Sequence, residues 1–478
     1  MTVQYKLVKN ILPVLLLILS VNISGQTQTI TLDQAIELAL KNNREVKIAK
    51  LNVEKSGAAV SEAFGYALPS VDVTAGYTRF LKKPKIAFPD FGALLRNSTY
   101  SILFDENVIP RDESKFVPVE NILQSFALTN NYQAQIQVSQ ILFNSAVFRG
   151  IGASEIFLNL AKENLKRTVS KTVVSVKKAY YGVLLAKDLL DIARSRFTNA
   201  NEHLKNIQAM REQGLVSDFE ELQAKVQVEN IRPVLLQLEN ALKNAKDRLK
   251  ILMMMEQSEQ ITVEGHLPYS DEKLPAENEL ISEALSANLD ISTLKIKKQL
   301  DEEFVAIDRS NYWPTIAAFG NYSYAGSSND WNFQNYQSST IGVNFSINLF
   351  QGGRTSHKVE QDQIVAMQTD EQISTLKDLI ISQVKAKLND LKRVKQQIHA
   401  MSKNVELAEL AYKIADDRYK EGEGSQLELK DADVSLSQAK VNYTTAVHDY
   451  VVAKADLYDL VGRVDPKYYK YISDLLNE

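Results

Sequence analysis

Four segments of the chain alternate apolar and polar side chains at every second residue, the pattern of a β-strand with two different faces. In the clearest segment, Ile341, Val343 and Phe345 alternate with Gly342 and Asn344. Alternation over about ten residues is typical of a tilted strand that crosses a membrane, with apolar side chains toward lipid and polar ones toward a lumen. Half-buried strands of a soluble sheet are the alternative. The predicted strands are residues 70–80, 132–143, 314–325 and 339–350.

A second periodicity, in steps of three and four residues, predicts helices that are longer than a globular core requires. From Val169 to Ile207 one seam position is large and the other is mostly alanine, which favours close packing in a coiled coil. The first of these helices would be roughly 100 Å long at 1.5 Å per residue. A rod-like dimeric coiled coil is the alternative, but it leaves the strands unexplained. The long helices are predicted at residues 145–212, 219–255, 353–421 and 425–461.

The same order of elements occurs twice, which indicates a tandem duplication. The segment Ala39–Val46 resembles Ala284–Ile291, which begins 245 residues later (284 minus 39). The turn at Gly214 recurs at Gly422, displaced by 208 residues (422 minus 214). The first copy holds extra residues at 81–131, which are predicted as a long loop between its two strands. The predicted domains are a first repeat at 26–255, a linker at 256–278, a second repeat at 279–461 and a C-terminal tail at 462–478.

The N-terminus is typical of a secretory signal peptide. Lys6 and Lys9 precede an apolar run from Ile11 to Leu19, and small or polar residues follow. The run is too short to cross a bilayer as a helix, and an N-terminal anchor is the alternative. Residues 1–25 are therefore predicted to direct export and to be removed, and any membrane residence of the mature chain would have to come from its β-strands.

Composition restricts the chemistry that is open to the chain. Its 478 residues include no cysteine and only 5 histidines, which excludes disulfides, thiolate metal sites and thiol catalysis. The formal net charge of -4 gives no basic field for nucleic acid. The histidines are scattered without an HExxH spacing, and Gly352-Gly353 lacks the rest of a nucleotide-binding motif. No enzyme activity, cofactor, metal site or nucleic-acid partner is therefore predicted.

Four strands are too few to close a barrel in a membrane. Bacterial barrels begin at about eight strands, because unpaired strand edges are intolerable in hydrocarbon. Two copies of the chain would supply about eight strands around a filled interior, whereas three would supply about twelve and leave room for a lumen. The sequence therefore predicts a homo-oligomer, and a trimer is the smallest arrangement that forms a conduit.

Two turn motifs between the long helices carry a family resemblance. The first is REQGLVS at Arg211–Ser217, and the second is RYKEGEGS at Arg418–Ser425. Together with the signal peptide, the repeat and the paired strands, they resemble the TolC family of outer-membrane efflux channels over essentially the whole mature chain. The resemblance implies an α+β membrane protein that is mostly α. Its fold would be a trimeric 12-strand outer-membrane β-barrel, with four strands per chain, continued by a long periplasmic α-helical barrel.

The resemblance also implies partners and a function. The homotrimer would contact outer-membrane lipid and dock a periplasmic adaptor (membrane fusion) protein and an inner-membrane transporter of the RND, ABC or MFS type. Residues 256–278 and 462–478 would belong to an equatorial belt, and the loop at 81–131 would be extracellular. The implied function is a passive exit duct for small molecules such as drugs and toxic compounds. The alternatives are the outer-membrane component of a type I protein-secretion system and a soluble periplasmic coiled-coil scaffold.

In this family the periplasmic end of the helical barrel is closed by inward-coiled helices and lined by acidic rings. Matching the motifs places Glu428 and Asp431 as ring carboxylates, which would favour cations over anions. Arg418 and Tyr419 become candidate gate links, and Gly422 is a further candidate residue of the gate. A solvated helix end is the alternative interpretation of these charges.

One position departs from the family pattern. Gly424 stands where the family has a basic gate residue, so the ionic latch is expected to be weaker, or rebuilt through Arg418 or Lys430. The same two turns would form the tips that face the adaptor. The predicted tip residues are Gly214, Ser217, Gly422 and Ser425.

Overall fold

The computed structural model describes residues 28–463, 467–468 and 471, so the predicted signal peptide at 1–25 and most of the predicted tail at 462–478 lie outside the described residues. Within this part of the chain the helices are α1 (Leu32–Asn42), α2 (Arg44–Gly65), α3 (Phe91–Asp105), α4 (Ser145–Glu212), α5 (Asp218–Met253), α6 (Glu277–Ala287), α7 (Leu289–Arg309), α8 (Arg354–Lys420) and α9 (Gln426–Leu460). The strands are β1 (Gln28–Ile30), β2 (Ser70–Arg79), β3 (Ile86–Pro89), β4 (Asn121–Gln124), β5 (Asn130–Phe143), β6 (Ile261–Val263), β7 (Thr315–Ser328) and β8 (Gln334–Ser346).

The described chain divides into two compact units. The helical unit consists of the residues up to 54, residues 160–295 and the residues from 371 onward, and the strand unit consists of residues 55–159 and 296–370. Each unit takes a share from both halves of the predicted duplication. The two copies are therefore not separate domains, because each contributes to both units.

The strand unit contains an antiparallel sheet of four strands in the order β2-β5-β7-β8, so β2 and β8 are its edges. The last pair between β7 and β8 joins Thr315 to Ser346. Pro314 precedes Thr315 and has no N–H with which to continue the ladder. β8 therefore ends at Ser346, although the alternation in the sequence continues to residue 350.

The two faces of this sheet differ in polarity. The register places Asp72, Gln137, Asn321 and Thr340 in one row across the four strands, on a side that we call the polar face. The opposite side is the apolar face, on which Ile341 is 90% exposed in the single chain. A face this apolar is suited to lipid and is costly in water. Its large exposed side chains include Val71, Val73, Ile136, Val138, Ile341, Val343 and Phe345.

The segment between β2 and β5 has a small fold of its own, where the sequence predicts only a long loop at 81–131. β3 and β4 pair antiparallel, and α3 follows β3. Asp90 caps α3 by accepting the Gly92 N–H at 2.9 Å. Asn97 on α3 forms two side-chain hydrogen bonds of 2.8 Å with the backbone of Val117, one to its carbonyl and one from its N–H. These contacts hold the returning chain against the helix.

The helical unit is built around two similar hydrophobic cores. The first contains Val176 of α4 and Leu249 of α5 together with Ile36 of α1. The second contains Val384 of α8 and Leu280 of α6, together with residues of α7 and α9. Each core therefore unites a short helix with a pair of long ones, as expected for a duplicated chain. None of the described helices is both long enough and apolar enough to cross a membrane.

Two buried asparagines occupy equivalent positions in the two predicted repeats. Asn43 separates α1 from α2, and Asn288 separates α6 from α7, 245 residues later (288 minus 43). The Asn43 Oδ1 accepts the Glu45 N–H at 2.7 Å, and the Asn288 Oδ1 accepts the Asp290 N–H at 2.9 Å. The first N–H groups of a helix lack backbone acceptors, so the same side chain begins the second helix in both copies.

A close contact on the polar face gives a test of the β7–β8 register. Phe319 lies across Gly342, where an added Cβ would be 2.7 Å from the aromatic ring. We expect Gly342→Val to displace the ring and to lower the free energy of unfolding by about 1–3 kcal/mol, as overpacking does. Gly76→Val is the matched control, because an added Cβ at Gly76 meets nothing within 4 Å. Equal thermal midpoints for the two variants in detergent would contradict the contact.

Candidate functional site: the two helical turns

The first turn joins α4 to α5 and is built around Gly214, whose φ of 75° lies in the left-handed region that glycine tolerates. The Leu215 N–H donates to the Met210 carbonyl at 2.9 Å and satisfies an acceptor at the end of α4. Ser217 and Glu220 then form a capping box at the start of α5. The Ser217 Oγ accepts the Glu220 N–H at 3.3 Å, and the Glu220 carboxylate accepts the Ser217 N–H at 2.9 Å.

The second turn, between α8 and α9, repeats this geometry with one difference. Gly422 has a φ of 77°, and the Ser425 Oγ accepts the Glu428 N–H at 3.2 Å. The Glu428 carboxylate is turned toward Arg418 instead of its own cap, with 3.7 Å between Oε2 and Nη1. Arg418 also donates from Nη2 to the Glu423 carbonyl at 3.1 Å. This arginine therefore ties the end of α8 to the start of α9 within one chain.

Gly424 packs tightly against the end of α8. An added Cβ would lie 3.0 Å from the backbone nitrogen of Tyr419 and 3.2 Å from the Cβ of Arg418. The Gly424 N–H also donates to the Arg418 carbonyl at 3.0 Å. A residue with a side chain at this position would have to move the end of α8 by a few tenths of an ångström.

Arg418 and Lys430, the two cations expected from the sequence to rebuild an ionic latch, differ in their contacts. Arg418 is paired with Glu428, as described above, but both side chains are about half exposed. Ion pairs of this kind contribute about 0–1 kcal/mol. Lys430 is exposed and has no ion-pair partner in the part of the chain that the structure describes. Within one chain, the Arg418–Glu428 ion pair is therefore weak.

The fold brings the two turns together within the helical unit. The Nε2 of Gln426 donates to the Glu220 carbonyl at 3.4 Å, which joins the start of α9 to the start of α5. Further along the helices, the Nε of Arg196 on α4 lies 3.0 Å from the Oδ2 of Asp433 on α9. Asp433 is only 8% exposed. Burial raises the pKa of this carboxyl, and the Arg196 guanidinium opposes the rise.

An aromatic contact holds Tyr419 against α4. Its ring meets the ring of His203 edge to face, with 4.8 Å between centroids. Burial lowers the pKa of His203, and Asp416 opposes this shift. Burial also raises the pKa of Tyr419, and Glu220 acts in the same direction. Both rings therefore favour their neutral forms, because a charge at either position would be poorly solvated.

Glu428 and Asp431 lie three residues apart on α9 and therefore share one side of the helix. Both are exposed in the single chain. The consecutive carboxylates at the start of α5 behave differently: Glu220 caps the helix, whereas Glu221 is 7% exposed, with its Oε2 3.0 Å from the Nε of Arg211. Among the described residues, no group of three or more His, Cys, Asp or Glu side chains could hold a metal ion.

The sequence pattern assigns no role to His203, Arg196 or Asp433, although all three join the site. The partners Arg196 and Asp433 are 237 residues apart, and periodicity within one helix cannot reveal such a pairing. His203 directly precedes Leu204 of the predicted apolar seam of α4. That position is the one sequence feature that could have drawn attention to it.

Long paired helices, a four-stranded sheet with one apolar face and two capped turns define the class of outer-membrane channels that continue as helices into the periplasm. A family model described as "Outer membrane efflux protein" matches residues 111–253 and 280–463. The chain belongs to this family of outer-membrane efflux channels, and its location is the outer membrane, with the helical part in the periplasm. Its relatives are channel proteins, which points to a role other than catalysis.

Individual relatives are distant in sequence but close in fold. Outer membrane protein TolC of Vibrio cholerae is 21% identical over 368 residues, which cover 74% of this chain and 84% of the relative. Alkaline protease secretion protein AprF of Pseudomonas aeruginosa is 23% identical over 353 residues, 70% of each chain. Among solved structures, the Campylobacter jejuni CmeC outer membrane channel aligns with a TM-score of 0.70 at 17% identity, covering 93% of this chain and 89% of that one.

We expect pH to control the local stability of the two turns through His203. Because burial lowers its pKa in the folded chain, the opened chain binds more protons, so protection is complete above about pH 6.5 and declines below it. Hydrogen exchange at the end of α4, corrected for intrinsic rates, should therefore become faster in mild acid. His203→Phe keeps a ring against Tyr419 but cannot titrate, and should remove this dependence. An equal decline in the variant would contradict the assignment to His203.

Proposed function

We propose that three copies of this chain form the passive exit duct of a tripartite efflux system that carries small molecules, such as drugs and toxic compounds, across the outer membrane. The observation that carries the proposal is the open sheet of the strand unit. β2 and β8 are edges, and the apolar face beside them is exposed in the single chain. An open sheet with a lipid-facing side is not stable in hydrocarbon, because the backbone groups of its edges have no partners there.

Closure by identical copies removes both edges at once. β2 of one copy would pair with β8 of the next, and the polar faces would line a common lumen. Two copies would give about eight strands and an interior filled by side chains, whereas three give about twelve strands and an open interior. The duplication supports this arrangement, since the repeats proposed at 26–255 and 279–461 each supply two strands and a pair of long helices. The residues at 256–278 would belong to the equatorial belt.

The two turns would form the periplasmic tip of the duct. Arg418 and Tyr419 are proposed as links that hold the gate, with Glu428 and Asp431 as rings of carboxylates around its axis. Gly422 shapes the turn that carries them. Three copies would place these exposed carboxylates near one another, where they would raise the local concentration of cations.

The same tip would dock a periplasmic adaptor, and an inner-membrane transporter of the RND, ABC or MFS type would supply the energy. Apolar side chains around the turns support a docking surface: Leu215 and Phe219 are each 66% exposed, and Leu427 is 61% exposed. Exposed apolar groups of this size favour protein contact. The tip residues proposed to face the adaptor are Gly214, Ser217, Gly422 and Ser425.

The second candidate is the outer-membrane component of a type I protein-secretion system. The name of the relative AprF, an alkaline protease secretion protein, favours it. The two candidates differ in cargo and not in the duct. A strain that lacks the chain should accumulate a fluorescent efflux dye if small molecules are the cargo, and should instead lose a protein from its medium if secretion is the function.

The duct itself is tested on the purified mature protein. In mild detergent we expect the mass of a trimer, heat-dependent migration on gels, and discrete conductance steps in planar bilayers. A protein that fractionates as a soluble periplasmic species would support the scaffold alternative and refute the duct. A monomer that still conducts ions would refute closure by three copies.

The proposed acidic rings give a separate prediction. Glu428→Ala combined with Asp431→Ala should reduce the preference for cations severalfold in planar-bilayer conductance, because the charges at the constriction are lost. Glu406→Ala is a matched control that removes an exposed carboxylate from α8. If ion selectivity is unchanged in the double variant, Glu428 and Asp431 do not line the constriction.

A further inference from the structure

The four long strands carry almost no charge. Within β2, β5, β7 and β8 the charged residues are Asp72 and Arg79, both on β2. They are seven residues apart, so they lie on opposite faces of the sheet, because strand side chains alternate. Arg79 belongs to the apolar face and ends β2 at the side remote from α2, where a long cationic side chain can reach lipid headgroups. Asp72 belongs to the polar face and stands close to the start of β2.

The neighbours of Asp72 on the polar face are neutral. Its row consists of Gln137, Asn321 and Thr340 on the other three strands. The glutamines of β5 bond one another along the strand, Gln133 to Gln135 at 3.2 Å and Gln135 to Gln137 at 3.4 Å. This face therefore offers amides and hydroxyls but no second charge.

The Asp72 carboxylate is not neutralised within the described chain. The Gln137 side-chain amide, directly across from it, donates instead to the Ser139 Oγ at 3.2 Å. Asp72 accepts one long hydrogen bond, 3.5 Å from the Ser70 Oγ. None of the ion pairs among the described residues involves Asp72, and the residue is exposed. Its negative charge can therefore attract cations from the medium that contacts the polar face.

We propose that Asp72 makes the strand-lined part of the duct selective for cations over anions, independently of the charges at the helical turns. The inference rests on the proposed function, in which the polar face lines a lumen and three copies place three carboxylates at one level. A fixed charge in a water-filled passage with low-dielectric walls raises the local concentration of counter-ions. Because the polar face of the four strands carries no other charge, no group on these strands offsets it. Cationic and neutral cargo would pass this level freely, and anionic cargo would be slowed.

The test measures the electrostatic potential beside Asp72 with a cysteine probe at Gln137, in a chain that has no cysteine of its own. The full-length protein in liposomes is treated with a cationic and an anionic methanethiosulfonate reagent, and the ratio of their reaction rates is recorded. Cross-strand Cβ atoms are about 4.5–5.5 Å apart, so the probe lies within reach of the charge. At about 10 mM salt, Asp72→Asn should lower the cation-to-anion rate ratio about tenfold.

Two variants control for other effects of the substitution. Asp72→Glu keeps the charge and should keep the high ratio, whereas Arg79→Gln changes a charge on the other face and should leave the ratio unaltered. A ratio that does not change in Asp72→Asn overturns the proposal. A cysteine at Gln137 that water-soluble reagents cannot reach shows that the polar face is not wetted, which overturns both this proposal and the duct.

Ion selectivity separates this proposal from failure of the proposed duct. In the background of Glu428→Ala with Asp431→Ala, the remaining cation preference in planar bilayers should disappear when Asp72→Asn is added. A preference that persists unchanged overturns the role of Asp72. If Asp72→Asn lowers the rate ratio at the probe but the protein never conducts ions, the negative potential at the polar face is confirmed. That outcome refutes only the duct.

Discussion

The unpaired backbone groups along the edges of β2 and β8 are the constraint on which the rest of the proposed assembly depends. These strands have the N–H and C=O groups of one side unpaired within the chain, and the sheet between them has an apolar face. Lipid can cover that face but cannot bond those groups, and each unpaired group costs several kcal/mol in hydrocarbon. Only another strand can meet both needs. The apolar face requires lipid, whereas the edges require strand partners. The proposed closed wall of identical copies meets both requirements.

The proposed duplication would explain how one chain supplies both a sheet and long helices. Each copy runs through the helical unit, enters the strand unit and returns, so both units are built from both copies. The equivalent asparagines Asn43 and Asn288 begin the helices that lead toward the strands, with the same pattern of side-chain acceptors. The two hydrophobic cores repeat the same combination of helices. An assembly of three such chains would have six similar helical walls, which suits a continuous tube.

The long strands and helices could be predicted because their periodicity is local to the sequence. The strand ends, the fold of the inserted segment and the contacts at the turns could not, because they depend on residues far apart in the chain. Periods of two and of about 3.6 residues are properties of strands and helices themselves, so the alternation around Ile341 and the seam of α4 could be recognised in the sequence. The end of β8 depends on Pro314, which directly precedes the neighbouring strand β7, and the fold within 81–131 depends on bonds such as Asn97 to Val117. At the turns, Gly214 and Gly422 could be recognised because glycine is the usual residue at the end of a helix. The contact of Tyr419 with His203 could not, because it joins distant parts of the chain.

Charge is distributed differently at the turns and on the polar face, and the difference has a mechanical consequence. Around the second turn, carboxylates lie near cations, and Arg418 approaches Glu428 within the same chain. A small movement of α8 against α9 would change how much of that charge is neutralised, so its field would depend on the state of the proposed gate. Asp72 lies on a sheet whose geometry is fixed by backbone ladders, and the described chain gives it no cation. Its field would therefore remain constant while the field at the turns changes, so that a duct with an opening tip would still discriminate by charge when the tip is open.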